Sequence, residues 1–442
     1  MNQFTASLWG DEGWAVNLAI KPISQIIKIV SRDTSPPFYY LWEHLWLKIF
    51  GTSEVAIRSL SFFFFVLTVL VVFLIGRHLW DKKTGWLAAL LTLTNPFLFS
   101  YAFEGRMYAL LVLTSTLSVY FFLKKQRWGF ILATTAALYT HHFAIFIVIW
   151  EGLWAIFALL RERHATKGAA KRRLLPFLLI GLLYLPWLSP LYYQTSLVSS
   201  GFWLGKPEFK DLFKTASKFL VGSDQPNLYQ QIALGALLLT LAVRRWLSNA
   251  AVNSINSVNS INSAFLFGWF WTPLLLSLTI SQFFQSIFYD RYLLLAIPAA
   301  TLLIASQRRR FSWLLILVAV GCLSIINYDY FWHPTKRPFR QLAEFIKAEA
   351  AGLPLINYNA ASHHLWETKY YGLEAPIYSP QPLPFYTGTA LMNEGDIIAT
   401  LPDQSPIGVI TSASVAEVRL PGYHLDQYHQ IDSLKLLWMV KN

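Results

Sequence analysis

Long apolar runs separated by short polar breaks dominate the chain. Runs at about 59–76, 86–103, 107–123, 128–140, 143–160, 174–191, 228–243, 264–281, 292–305 and 312–326 are apolar enough to cross, or nearly cross, a bilayer. A perpendicular helical span needs about 20 residues, so the shorter runs predict extended edges or broken helices, about ten in all. Ahead of them, Ile20, Ile23, Ile26, Ile27 and Val30 recur at helical spacing, and Tyr39, Tyr40, Trp42 and Trp46 suit the headgroup level. Residues 17–50 therefore read as two interfacial segments. After residue 335 the pattern changes: 340–351 reads as a helix, and 355–358, 396–400 and 407–411 read as strands between Pro and Gly punctuation. The expected fold class is an all-α polytopic membrane protein with a small C-terminal exterior α/β domain. Its expected parts are a first exterior segment (1–58), a transmembrane bundle (59–326) and that domain (327–442).

Composition agrees. Of 442 residues, 55% are hydrophobic and only 14% charged, where soluble domains carry about one quarter charged residues. The net charge of +12 would suit nucleic acid were it spread over one face, but most basic residues sit in short loops, which is a topology signal. One set of loops carries Arg77, Lys82, Lys83, Lys124, Lys125, Arg127, Arg161, Arg163, Lys167, Lys171 to Arg173, Arg244, Arg245 and Arg308 to Arg310. The alternate set carries Arg106, Lys206, Lys210, Lys214, Lys218 and Arg291. The richer set belongs inside, so 1–58, the turns at 104–106 and 141–142, the loops 192–227 and 282–291, and everything after about 327 are expected outside. A first segment that is outside with no helix before it predicts either a further transmembrane helix upstream of Met1 or translocation of a short tail by the helix that follows it. The lone Cys322 excludes an internal disulfide framework and a cysteine-based metal site. The repeat Val252-Asn-Ser, Ile255-Asn-Ser, Val258-Asn-Ser, Ile261-Asn-Ser is low-complexity and reads as a loop insertion.

Ionisable groups near membrane depth are costly and need a reason. The exterior segments deliver Asp11, Glu12, Asp33, Glu43, His44, Glu104, Arg106, His141, His142, Asp290 and Arg291 to one side. Asp11 and Glu12 lie in an otherwise aromatic and apolar stretch, where an unpaired charge is expensive. Either both are merely solvated, or Asp11 accepts a proton from an attacking hydroxyl while Glu12 orients it, binds substrate or joins a cation site. Arg106 in Glu104-Gly-Arg-Met-Tyr108 and Arg291 in Asp290-Arg-Tyr292 each open a later apolar run. They suit a phosphate headgroup whose lipid tail lies between helices, or simply anchor at the interface. Tyr108 and Tyr292 follow them as substrate-binding candidates. His141 and His142 either brace their turn or touch substrate; adjacent histidines rarely share one metal. Asp33 caps a turn or adds a further carboxylate. Glu151, in mid-run, should face the bundle interior and find a partner.

These residues resemble landmarks of a known group. Ser7-Leu-Trp-Gly-Asp-Glu-Gly-Trp14, the stretch from Asp33-Thr-Ser-Pro-Pro37 to Gly51, and Ser53-Glu-Val-Ala-Ile-Arg58 resemble the start of polytopic glycosyltransferases with the GT-C fold. The branch is that of bacterial relatives of protein O-mannosyltransferases and of the lipid A aminoarabinose transferase. Phe103 to Leu110, Tyr139-Thr-His-His-Phe143 and Asp290-Arg-Tyr-Leu-Leu294 resemble later landmarks. The resemblance implies an enzyme of the bacterial plasma membrane that takes a sugar from a polyprenyl phosphate carrier on the exterior face. It gives the sugar to a hydroxyl of a glycan, lipid or protein, with inversion. It implies Asp11 as general base, Glu12 as the second acid, and Arg106 and Arg291 as phosphate-binding candidates. Ser35 stands where the group commonly has a histidine, which removes that histidine's role. No cofactor follows from it; the exterior acids leave open a divalent cation, Mg²⁺ or Mn²⁺, and no octahedral ligand pattern is legible. The alternative is a transporter or flippase of lipid-linked sugars, which would carry ionisable groups near mid-membrane and internal repeats.

Overall fold

The computed structural model describes residues 1–161, 167–248, 258–307, 310–358 and 361–442. Arg163, Arg308, Arg309 and the repeats beginning at Val252 and Ile255 fall outside the described residues. The chain forms two compact units, residues 1–60 with 332–442, and residues 61–331. The first exterior segment and the C-terminal domain, read from sequence as separate pieces, are thus one unit.

The N-terminal part of that unit holds three short helices, α1 (Gly10–Ala19), α2 (Ile23–Val30) and α3 (Phe38–Phe50), before α4 (Glu54–Leu79) begins. The Asp11–Glu12 pair, expected in a loop, opens α1. Acidic residues in a first turn complement the unsatisfied N–H groups there, and Glu12 Oε2 accepts from the Trp9 N–H at 3.3 Å. Helix α2 buries Ile26 and Val30 and exposes Ile23 and Ile27; α3 exposes Trp42, Leu45 and Ile49. Both therefore keep an apolar face uncovered, as interfacial helices do.

Among the described residues, the regular structure of the second unit is all helical. Its elements are α5 (Lys82–Leu93), α6 (Pro96–Ala102), α7 (Tyr108–Leu123), α8 (Arg127–Thr140), α9 (Ile145–Arg161), α10 (Lys167–Tyr184), α11 (Leu188–Ser199), α12 (Phe209–Val221), α13 (Leu228–Ser248), α14 (Val258–Phe283), α15 (Ile297–Ala305) and α16 (Arg310–Trp332). Five spans among the described residues are long and apolar enough to cross a membrane: Glu54–Leu79, His142–Arg161, Ala170–Ser199, Ser260–Phe283 and Ser312–Trp332. Shorter apolar helices, such as Tyr108–Leu123 and Leu228–Ala242, accompany them. The run at 86–103 is broken into α5 and α6 because Asn95 caps a new helix, accepting from the Leu98 N–H at 2.9 Å, and Pro96 occupies its first position. Small residues let helices close up: a Cβ on Gly76 would lie 2.8 Å from the Gly85 Cα.

The remainder of the first unit contains α17 (Phe339–Glu349), β1 (Leu355–Asn357), α18 (Ala361–Tyr370), β2 (Ile377–Tyr378), β3 (Ile397–Ile398), β4 (Ile407–Thr411), β5 (Tyr423–Ile431) and β6 (Leu434–Lys441). The sheet order is β3-β2-β1-β4-β6-β5; the first four strands are parallel and β6 runs antiparallel to both neighbours. Phe339, Leu342 and Ile346 of α17 pack on one sheet face with Ile410, Leu434 and Leu436. Ile356, Val409, Leu437 and Met439 form a second core on the other face with Val418 and Leu420. Burial of both faces leaves every residue of β4 buried, from Ile407 to Thr411.

Candidate active site

In the first unit the two acids of α1 have different surroundings. Glu12 is 0% exposed. Its Oε1 accepts from Arg58 Nε at 2.8 Å, and its Oε2 accepts from Arg58 Nη2 at 2.7 Å and from Lys336 Nζ at 2.8 Å. Burial by itself would raise this carboxyl, but Arg58 and Lys336 outweigh it and hold the pKa at about 2. Arg58 also donates to the carbonyls of Gln3, Ala6 and Ser7 at 2.8, 2.6 and 2.9 Å. One guanidinium thereby ties the chain ahead of α1 to the start of α4. Asp11, one residue earlier, points elsewhere and keeps 20% of its side chain exposed.

Helix α18 packs directly on α1. Gly13 permits this, since a Cβ there would sit 2.9 Å from the Trp366 carbonyl. Asn17 Nδ2 donates to the Trp366 carbonyl at 3.2 Å, and the Leu8 N–H donates to Tyr371 Oη at 2.9 Å. The packing places His363 Nδ1 4.0 Å from Asp11 Oδ1. Lys336, His363, His364 and Glu367 are thus brought to the acidic pair from more than 300 residues away, and nothing in the local sequence marked them. Asp33 lies in the turn between α2 and α3, where its N–H donates to the Val30 carbonyl at 3.2 Å.

In the second unit, Arg291 is set in an aromatic cluster. Its guanidinium carbon lies 4.8 Å from the Tyr289 ring centroid, 5.6 Å from Tyr108 and 5.8 Å from Tyr292. The rings of Tyr108 and Tyr292 stack at 6.4 Å, and His141 lies 5.0 Å from Tyr292. Arg106 and Arg291 both act electrostatically on His141, so the two arginines, two tyrosines and one histidine chosen from sequence are neighbours. Glu104 shares their turn: the Arg106 N–H donates to its carbonyl at 2.7 Å. Asp290 pairs with Lys218 at 2.5 Å, a partner sequence spacing did not suggest. The two histidines diverge. His142 contacts Gln194 Oε1 at 2.8 Å and Tyr184 Oη at 3.2 Å, while His141 turns toward Tyr292. A small crevice bounded by Phe65, Leu98, Tyr101, Tyr108, Val112 and Leu294 runs beside this cluster. Among the described residues, no three His, Cys, Asp or Glu side chains group as metal ligands would.

A helical bundle with five spans long and apolar enough to cross a membrane among the described residues, together with a small α/β layer, describes a multi-pass membrane protein. Residues 34–193 match the family described as dolichyl-phosphate-mannose-protein mannosyltransferase, a segment that includes Arg106, His141 and His142 but not Asp11 and Glu12. The chain is similar to ArnT from Cupriavidus metallidurans in the apo state, at 11% identity over 98% of this chain and 94% of that one, with a TM-score of 0.53. The same ArnT bound to undecaprenyl phosphate aligns at 13% identity over 99% and 94%, with a TM-score of 0.48. The Archaeoglobus fulgidus oligosaccharyltransferase tethered to an acceptor peptide with the NVT sequon is similar at 15% identity and a TM-score of 0.50. That match covers 84% of this chain and 56% of the transferase, so the chain spans little more than half its length. At these identities the likeness is one of fold. No curated protein matches the chain.

Proposed function

We propose that this protein is an inverting glycosyltransferase that moves a sugar from a polyprenyl phosphate carrier to an acceptor hydroxyl on the exterior face of the membrane. In this reading its ten apolar runs are the membrane passes. The observation that carries it is the division of labour between Asp11 and Glu12. Glu12 is held by two cations, so it fixes the helix start; Asp11, one residue earlier, keeps 20% of its side chain exposed, which lets a hydroxyl reach it. The acceptor oxygen gives its proton to Asp11 as it bonds to the anomeric carbon, and the carbon–oxygen bond to phosphate breaks with its electron pair going to the carrier. Developing charge on that phosphate calls for cations. Arg291, set among tyrosines, and Arg106, which like Arg291 acts on His141, are cations of the kind a lipid phosphate takes. The matching family's printed description, which names a lipid-phosphate-linked mannose, agrees with this donor class.

The transporter reading gains no support from Glu151, the ionisable residue in mid-bundle. Its carboxylate accepts from Ser118 Oγ at 2.8 and 3.1 Å, and Ser118 in turn bonds Thr134 at 2.7 Å, a knot that joins α7, α8 and α9.

The test is transfer by purified protein in lipid, supplied with radiolabelled polyprenyl phosphate sugars and cell-envelope acceptors, with and without Mg²⁺ or Mn²⁺. Asp11→Asn should reduce transfer by about 100-fold or more. Transfer that survives this change removes Asp11 as base; failure of every donor, with flipping in sealed vesicles, would install the transporter instead.

A further inference from the structure

The C-terminal layer contributes more than a cover, because α18 sets an imidazole beside the proposed base. Three observations meet at His363. Its Nδ1 lies 4.0 Å from Asp11 Oδ1, a gap that a side-chain rotation or one bridging water closes. Its ring lies beside that of Trp9, with centroids 6.3 Å apart and planes 29° apart. Its position also depends on Gly10, where a Cβ would lie 2.5 Å from the His363 Cβ. Yet 51% of the side chain is exposed, leaving a path for a proton to bulk water.

The remaining charged groups around the pair are committed elsewhere. From α1, Glu12 is saturated by Arg58 and Lys336. Arg337, beside Lys336, places Nη1 3.3 Å from His364 Nε2. On α18, Glu367 follows His363 by one helical turn and is 1% exposed. Burial pushes its carboxyl well above the usual carboxylate range, against the pull of Arg337 and with the help of Glu12 and Asp11. Glu367 is closed off from solvent, whereas the His363 ring reaches both Asp11 and bulk water.

We infer that His363 is a proton-relay residue acting through Asp11, receiving the acceptor's proton from it and passing that proton to water. The step balances: protonated Asp11 loses its proton to Nδ1 and returns to carboxylate, while the imidazolium releases the Nε2 proton to solvent. The inference rests on Asp11 being the base.

The experiment compares the starting protein, His363→Ala, His363→Gln and Asp11→Asn in lipid, with transfer measured against pH and with added imidazole. His363→Ala should lower kcat on the order of tenfold, leave the donor KM unchanged and alter the shape of the pH profile. Imidazole should restore much of that loss in His363→Ala, because the vacated site is open to solvent. Full activity in His363→Ala and His363→Gln overturns the relay, as does a loss that imidazole leaves untouched and that keeps the profile's shape. If Asp11→Asn is inactive while His363→Ala is unaffected, the base stands and the relay alone fails. If Asp11→Asn is active, both fail.

Discussion

Glu12 and Arg58 form a two-pronged ion pair, at 2.7 and 2.8 Å, with neither side chain exposed. Such a pair gains little over a well-packed apolar one, but removing a single partner strands a buried charge. Arg58→Ala should therefore cost about 3–5 kcal/mol, read as a fall in the melting temperature of the protein in detergent. Replacing both partners, Glu12→Gln with Arg58→Met, should recover part of that loss. A single Arg58→Ala that melts like the starting protein would refute the structural role.

Acid should loosen the first unit through His364 and Glu12, while Glu367, whose carboxyl burial raises, works in the opposite direction. Burial, with Arg337 and His363 adding to it, holds His364 neutral and lowers its pKa from 6.5 to about 3. The unfolded chain then binds more protons than the folded one between those values, so stability present above pH 6.5 is lost as pH falls toward 3. Glu12 adds a second loss at lower pH, between 4.5 and about 2. His364→Gln should flatten the first part of the curve in pH-resolved thermal melts and leave the second part.

The contact between α1 and α18 depends on a missing side chain. Gly13→Ala puts a methyl 2.9 Å from backbone atoms of Trp366, which cannot rotate away as a side-chain tip could. Separation of the two helices should reduce transfer and lower the melting temperature together. The same substitution at Gly51, with open space around it, should leave packing undisturbed but strain the left-handed backbone (φ +79).

Arg291 is flat, and three rings surround it. Arg291→Lys keeps the charge but loses the planar face and the paired donors that phosphate prefers. The expected outcome is a donor KM raised by about tenfold, with Arg291→Ala worse and the melting temperature nearly unchanged. Equal kinetics for the Lys variant would argue that only charge matters there.

Much of the bundle was legible because apolar run length reports helices directly: each run read from the chain is helical. The break at Asn95-Pro96 was hidden inside one run, since both sides are equally apolar. In the C-terminal layer β4 was read at its observed bounds, whereas β5 was missed because its residues are mostly exposed and polar, without an alternating apolar face. Helix α18 was missed for a related reason: Ser362-His-His-Leu-Trp-Glu-Thr-Lys369 shows no apolar stripe, being buried through Leu365, Trp366 and Thr368 together with His364 and Glu367. Asp11 and Glu12 stood out by contrast with apolar neighbours. What separates them, Arg58 and Lys336 on one and His363 near the other, is tertiary, and no short window of sequence contains it.

Lys336 follows Glu12 by 324 residues, and the whole helical bundle is threaded between them. During synthesis the ribosome must deliver every intervening span before the second cation reaches its carboxylate and before α18 can settle on α1. A chain interrupted anywhere in the bundle carries the acidic pair and Arg58 but neither Lys336 nor α18, so the setting of the pair closes only on the finished polypeptide.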